Sequence, residues 1–462
     1  MVFKAVLSRK YYYFIEVPCS QDQCYAMDRW YSYLLPKELP SGSDVRVRSR
    51  HTSLCILCRG GRHLCGKSVC PIELKARAYI RNLNVIDTKE FVGSSPPSVF
   101  VGRFGYPYVF AGPMVPPFIG DTEIMDIPEA WFGKPVDTIV NYRYSLVRGS
   151  TRLPIDAVRR GGRVVGSMQE LSMGSSPADT EVEFLKKPTD RVSFDDNSQP
   201  FGPSAPLKSF DVSSIRVDHR IEKAYYDGDL RAAEAVIALY DSGLQVSRLQ
   251  KAFSMGVFGL SRNRKMVPTR WSITAVDSLL SQRLIEEIKE FETVDKYMVY
   301  VHSYQHNTFA AIFMPKKWSF EWMEAWFPGT FWNLRGEDAA VIGSEEGYFG
   351  RTAYPDIGGC YFSTRLGVAE HLKRLRRQAT VLVVREIMPE FPLPLGVWFV
   401  RENVRSMFKV APRVFDDLKS CLEYLKDFLV VPPSRWVEES ALLRDTILQR
   451  RIDDYFRRSE LL

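Results

Sequence analysis

Ser278-Leu-Leu-Ser-Gln-Arg-Leu-Ile-Glu-Glu-Ile-Lys-Glu-Phe291, and after a short link Tyr297-Met-Val-Tyr-Val-His302 and Phe309-Ala-Ala-Ile-Phe-Met314, decide the class of fold. Leu279, Leu280, Leu284, Ile285, Ile288 and Phe291 recur at helical spacing, which predicts an amphipathic helix. The next two runs are rich in β-branched and aromatic residues and flank Gln305-His306-Asn307, which predicts paired strands. A helix feeding a hairpin makes the chain mixed, α+β. Upstream, Asp229–Tyr240 is Ala-rich and predicts a helix capped by Asp227 or Asp229 and ended at Gly243. Downstream, the pattern predicts a helix over Thr364–Gln378, strands over Ala379–Ile387 and Val397–Glu402, and a helix over Val414–Leu429. A Pro-Pro-Ser linker at 432–434 then leads to a last helix and tail.

Nearer the N-terminus, Val99–Val101 and Tyr108–Phe110 are short β-prone runs divided by Gly and Pro, which reads as a hairpin. Ser145–Val165 is rich in Arg and Gly. Residues 174–210 read as irregular apart from a strand at Glu181–Leu185. A strand at Tyr11–Val17 and a helix after Pro71 are expected within the first part of the chain. The expected organisation is a multidomain protein: an N-terminal extension (1–50), a small metal module (51–75), two larger units (76–335 and 336–435), and a terminal helix with a flexible tail (436–462). No internal repeat or coiled coil is visible.

At 462 residues the chain has room for two or three cores. Its 45% hydrophobic and 25% charged residues are those of an ordinary globular protein. The net charge of +7 permits nucleic-acid binding without demanding it, because the distribution of charge matters more than its sum. No apolar stretch approaches the roughly 20 residues that span a bilayer. The first residues lack an apolar run ending in a small-residue cleavage site, so a cytoplasmic protein is expected.

Four of the eight cysteines crowd into Cys55-x2-Cys58-x6-Cys65-x4-Cys70, with His51 and His63 interleaved. In a reducing compartment such a cluster points to a metal rather than to disulfides. Gly60, Gly61 and Gly66 supply the turns needed to fold the second pair onto the first. Four thiolates would close a tetrahedral zinc site; a four-cysteine iron–sulfur cluster is the alternative, although the spacing is not that of a ferredoxin. Arg46, Arg48, Arg50, Arg59, Arg62 and Lys67 surround the cluster and suit phosphate contact, or simply keep a small module polar. At the other end, Gln449-Arg-Arg-Ile452-Asp-Asp-Tyr455-Phe456 resembles the PCNA-interacting box. One tight turn would group Ile452, Tyr455 and Phe456 as an apolar plug for the sliding clamp, with Gln449 at the rim. The plainer reading is a terminal helix packing on its own domain.

Three loops carry candidate phosphate or nucleic-acid contacts. In Phe100-Val-Gly-Arg-Phe-Gly-Tyr-Pro107, Gly102 and Gly105 flank Arg103, which could clamp a phosphate beside free amides. In Val267–Asp277, Thr269, Ser272 and Thr274 could cap the following helix, and Arg270 beside Trp271 could hold a phosphate or stack on a base. After Gly358-Gly359 come Arg365 and the basic run containing Arg376 and Arg377, whose bland reading is a solvated helix face. No spacing identifies a Ser-His-Asp, Cys-His or paired-carboxylate mechanism.

Ser95–Pro107, Val267–Asp277 and the segments Arg377-Gln-Ala, Arg385-Glu-Ile and Pro394-Leu-Gly-Val-Trp398 together resemble the archaeal Nre proteins, the NreA type in particular. The resemblance spans about residues 50 to 456 and leaves the first fifty unmatched. It implies Nre N- and C-terminal-type domains over 76–335 and 336–435, a four-cysteine zinc finger, a PCNA-binding tail and a part in DNA-damage repair. It implies no catalytic residues. The expected function is a clamp-recruited repair factor that contacts DNA through the zinc module and basic loops. The alternative is an enzyme acting on a nucleotide or nucleic-acid end, with Arg103, Arg270 and Arg365 as phosphate clamps and Glu370 or Glu386 as acid or base.

Overall fold

The structure, a computed structural model, describes residues 88–189, 202–213, 215–334, 336–391 and 394–448. The expected elements at 11–17 and after Pro71, the cysteine cluster and the clamp box lie outside the described residues.

Among the described residues there are two six-stranded sheets, the first made of β1 (Glu90–Ser95), β2 (Val99–Val101), β3 (Tyr108–Val115), β4 (Val147–Pro154), β5 (Ala178–Phe184) and β6 (Ser204–Val212). Their order is β1-β5-β6-β4-β3-β2, and only β4 and β6 run parallel. The expected hairpin is β2–β3, with Val101 opposite Ala111. The stretch expected to be irregular holds the one expected strand, as β5, and a second that was not expected, β6. In β5, Val182 and Phe184 are buried while Asp179 and Glu181 face out, the alternation of a half-buried strand. Few apolar residues announce β6; Pro206 sits beside the register shift where its ladder with β5 breaks, a place that tolerates a residue with no N–H.

The second sheet contains β7 (Tyr297–Tyr304), β8 (Asn307–Met314), β9 (Ser319–Trp326), β10 (Ala340–Glu346), β11 (Thr380–Ile387) and β12 (Arg413–Phe415), in the order β10-β9-β11-β8-β7-β12. Gln305 and His306 turn β7 into β8 at φ of 50° and 57°, the left-handed pair that matches the twist of a two-residue hairpin. Strand β11 inserts between β8 and β9, parallel to β9. The sheet therefore takes strands from both sides of residue 335, where the sequence suggested a division between units.

The helices are α1 (Val136–Tyr144), α2 (Ala157–Arg160), α3 (Arg163–Met173), α4 (His219–Tyr226), α5 (Ala232–Asp241), α6 (Val246–Ser254), α7 (Thr269–Ile288), α8 (Cys360–Leu375), α9 (Val397–Met407), α10 (Leu418–Leu425), α11 (Pro433–Glu439) and α12 (Ala441–Leu448). One face of β11, with Val381 and Val383, joins the core shared with α7, α8 and α9. The other, with Leu382 and Val384, joins a second core under α10, α11 and α12. Both faces are covered, so all eight residues of β11 are buried and the strand carries an unbroken apolar run from Val381 to Val384.

Several expected elements differ. Val397–Glu402 is not a strand but the start of α9: Val397, Val400, Arg401 and Val404 share one buried face at helical spacing, and Gly396 turns the chain at φ 93°. A short apolar run does not distinguish the two periods by itself. Phe415 belongs to β12, and helix α10 begins only after Asp417, whose side chain accepts the Ser420 N–H at 2.8 Å. Pro432–Ser434 is no linker; Pro433 opens α11, where its missing N–H costs nothing. Neither Asp227 nor Asp229 caps α5. Asp227 accepts the Asp229 and Leu230 amides, and the Glu234 side chain reaches back to the Arg231 N–H. Helix α7 starts well before Ser278, so Ser272 and Thr274 lie inside it, and Thr269 Oγ1 instead accepts the Val101 N–H at 2.9 Å.

Candidate nucleic-acid interface

The bond from Val101 to Thr269 ties the β2–β3 hairpin to the first turn of α7 and brings two of the three candidate loops together. The rings of Tyr106 and Trp271 meet at 5.1 Å between centroids. Arg103 and Arg270 are thereby the neighbours of two touching rings. The hairpin holds four outward aromatics, Phe104, Tyr106, Tyr108 and Phe110, each 46–67% exposed. Cations lie over several rings: Arg103 over Phe104 at 4.8 Å, Arg152 over Tyr108 at 4.7 Å and Arg148 over Phe100 at 4.7 Å. Burial pulls Arg148 down to about 10, which leaves it cationic at neutral pH.

The positive charge continues past β4. The Met266 N–H donates to the Ile155 carbonyl at 2.8 Å and the Arg159 guanidinium to the Arg262 carbonyl at 2.9 Å, which places exposed Arg262 and Lys265 beside Arg159 and Arg160. Neither 99–110 nor 147–154 contains an acidic residue. Across the same sheet the sign changes, because β5 turns Asp179 and Glu181 outward.

The remaining candidates lie elsewhere. Arg365 is buried in an ion pair with Glu346 at 2.7 Å and donates to Ser281 Oγ at 3.0 Å. Ser278 and Ser281, its partners on α7, stand roughly 12 to 17 Å along the helix from Arg270. Glu370 accepts two N–H bonds from Arg405 and the Tyr240 hydroxyl, and Arg405 holds it below the usual carboxylate range against the opposing effect of burial. Burial pushes Glu386 up, and its oxygens accept the Val430 and Val431 amides. Arg365, Glu370 and Glu386 therefore serve packing contacts and share no cleft with Arg103 and Arg270. Arg376 lies over Phe291 at 5.9 Å, and Arg377 is 3.9 Å from Asp295, near the other end of α7 and roughly 30 Å from Arg270. Their neighbour Lys373 pairs with Glu287, so the basic run is a solvated helix end.

Sequence reasoning missed Tyr108, Phe110 and Arg152. The alternation Tyr108-Val-Phe-Ala111 was the available signal, since Val109 and Ala111 fill the core and leave both rings outside. It also missed a buried charge network. Arg401 donates to both Asp277 oxygens at 2.9 and 3.0 Å, and Arg405 links Glu402 to Glu370. These pairs clamp α9 onto α7 and α8. Among the described residues no cluster of His, Cys, Asp and Glu could hold a metal, and Cys360 and Cys421 are buried thiols.

Residues 64–333 match the family described as Archaeal Nre, N-terminal, and residues 346–455 match Archaeal Nre, C-terminal. The chain belongs to the archaeal Nre family. The interval between the two matched Nre regions, 334–345, holds most of β10, and both regions contribute strands to the second sheet. Among curated Nre relatives, the DNA repair protein NreB of Archaeoglobus fulgidus is 47% identical over 391 residues, covering 84% of this chain and 97% of its own length. The DNA repair protein NreA of the same organism is 38% identical over 80% of this chain and 92% of its own length. The DNA repair protein NreA of Haloferax volcanii is 34% identical over 72% and 82%. The resemblance expected from the sequence therefore holds at the level of the Nre family, with higher identity to this NreB than to either NreA. No solved structure matches the chain. Among the described residues of this Nre protein, no helix is long and apolar enough to cross a membrane.

Proposed function

We propose that this Nre chain is a DNA-repair protein that binds DNA at the corner formed by the β2–β3 hairpin, β4 and the start of α7. The observation that carries this reading is the joining of the Arg103 loop to Arg270 and Trp271 through the Tyr106–Trp271 contact, in a region where cations and exposed rings alternate. The names of the relatives support the same reading. Cys55, Cys58, Cys65 and Cys70 bind one zinc that staples a second, Arg-rich DNA contact. Gln449, Ile452, Tyr455 and Phe456 bring the protein to the sliding clamp PCNA.

Three measurements test the three parts. DNA affinity followed against salt is expected to fall as counterions are recaptured, and more gently for Arg103→Ala with Arg270→Ala. Absence of binding at low salt defeats the DNA assignment. Metal analysis is expected to find one zinc per chain, lost in Cys55→Ser with Cys58→Ser; visible absorbance with bound iron would replace zinc by a cluster. Clamp pull-down is expected to retain the intact chain and release Phe456→Ala, and equal retention of both removes the tail assignment.

A further inference from the structure

We infer that the outward face of β3 and β4 is a stacking platform for unpaired bases, so that the DNA bound here is single-stranded or locally opened. The inference rests on the DNA-binding reading and specifies the form of its ligand. The rings of Tyr108 and Phe110 project from the same face of β3, two residues apart, and remain 46% and 47% exposed. Phe110 stands opposite Arg152 in the ladder with β4, and Arg152 lies over Tyr108 at 4.7 Å. The same hairpin also presents Phe104, 67% exposed, under Arg103.

Each of the two rings leaves nearly half of its residue's surface in solvent. Phe110 in particular has no polar atom that would gain from water. A duplex cannot use them well, because its bases are already stacked and present only groove edges and phosphates. An opened strand can, because each base has a face that stacks on an aromatic ring whatever its identity, while flanking arginines take the phosphates. The charge pattern gives the strand a track. Arg152 stands on β4 beside the rings, and just beyond the strand Arg159 and Arg160 share the single carboxylate of Asp156 (3.3 and 2.8 Å), a net positive charge, whereas Asp179 and Glu181 on β5 repel phosphate from the far half of the sheet. The opposite face of the sheet is filled by Val109, Ala111 and Val182 against the core, so the platform is rigid beneath its rings.

The test uses the full-length protein and fluorescence anisotropy with a labelled mixed-sequence 20-nucleotide single strand and the corresponding blunt 20-base-pair duplex, at low salt. The single strand is expected to bind tighter. Tyr108→Ala and Phe110→Ala should each weaken it by roughly 5- to 150-fold, the range of one lost base stack, and leave duplex affinity nearly unchanged. Tyr108→Phe should restore most of the loss, since the ring rather than the hydroxyl does the stacking. Both substitutions lie at exposed positions, and circular dichroism checks that the variants fold. If duplex binds as well as single strand and neither alanine variant changes anything, the platform is overturned while DNA binding stands. If neither nucleic acid binds, the DNA-binding reading falls with it, and the face belongs to a partner of another class.

Discussion

Replacing Arg401 by methionine should cost about 3 to 5 kcal/mol of folding stability, the usual penalty for stripping one partner from a buried ion pair. Arg401 and Asp277 are both essentially inaccessible, and the guanidinium reaches both carboxylate oxygens at 2.9 and 3.0 Å. At an effective dielectric of about 20, a pair at that separation attracts by roughly 6 kcal/mol, most of which offsets the cost of removing the two charges from water. Methionine fills much of the space but leaves Asp277 with the Gln250 amide at 2.9 Å as its one remaining side-chain donor. Of the other carboxylates near Arg401, Glu402 keeps Arg405, while Glu129 is left with the Ser247 N–H. Urea unfolding followed by circular dichroism measures the loss. Asp277→Asn in the same chain removes the stranded charge and should recover at least half of it. A loss below 1 kcal/mol for Arg401→Met, or a double variant weaker than the sum of the singles, would show that the pair does not hold α9 to α7 as argued.

Three further outcomes are expected. Burial, with Arg374 adding to it, pulls His371 down to about 4, while its ring stacks on Phe408 and its Nε2 faces the Tyr300 hydroxyl at 2.8 Å. An unfolded chain protonates this histidine near 6.5, so the unfolded state holds the extra proton between about 6.5 and 4; stability present above 6.5 is lost as pH falls through that window, by roughly 3 kcal/mol. His371→Gln should flatten that part of the stability-against-pH curve, and an unchanged slope would contradict the assignment. At Gly112 an added Cβ would sit 2.0 Å from the Gly149 carbonyl oxygen, so Gly112→Ala should force β3 and β4 apart and lower the melting temperature, whereas Gly166→Ala, with open space around it, should not. Arg152→Ala should lower the slope of log affinity against log salt by about 0.7 on single strands, and an unaltered slope would mean that Arg152 meets no phosphate.

Where interactions are local, the sequence was legible. Gln305-His306 between two β-prone runs predicted a hairpin because turn and strands are neighbours in the chain, and Val99–Phe110 did the same. The Ser278–Phe291 stripe foretold the body of α7 but not its full length, since the helix begins at Thr269, where the Trp271 and Ser272 amides close the first turn on the Pro268 carbonyl. Val397–Glu402 was ambiguous over six residues, and only packing against α7 and α8 selected the helix. The family was legible from whole segments.

Arg103, Arg270 and Arg365 each lie near glycine or proline and look alike as text. Folding separates them: the first two join beside touching rings at an exposed corner, while Arg365 is drawn inside to meet Glu346, a partner nineteen positions away. Residue type, local spacing and turn chemistry act within a few residues, and the sequence by itself determined the mixed class, both hairpins and the two segments that form the candidate site. Whether a given cation faces phosphate or a buried carboxylate depends on desolvation and on contacts between residues far apart in the chain, and only the tertiary structure decided that.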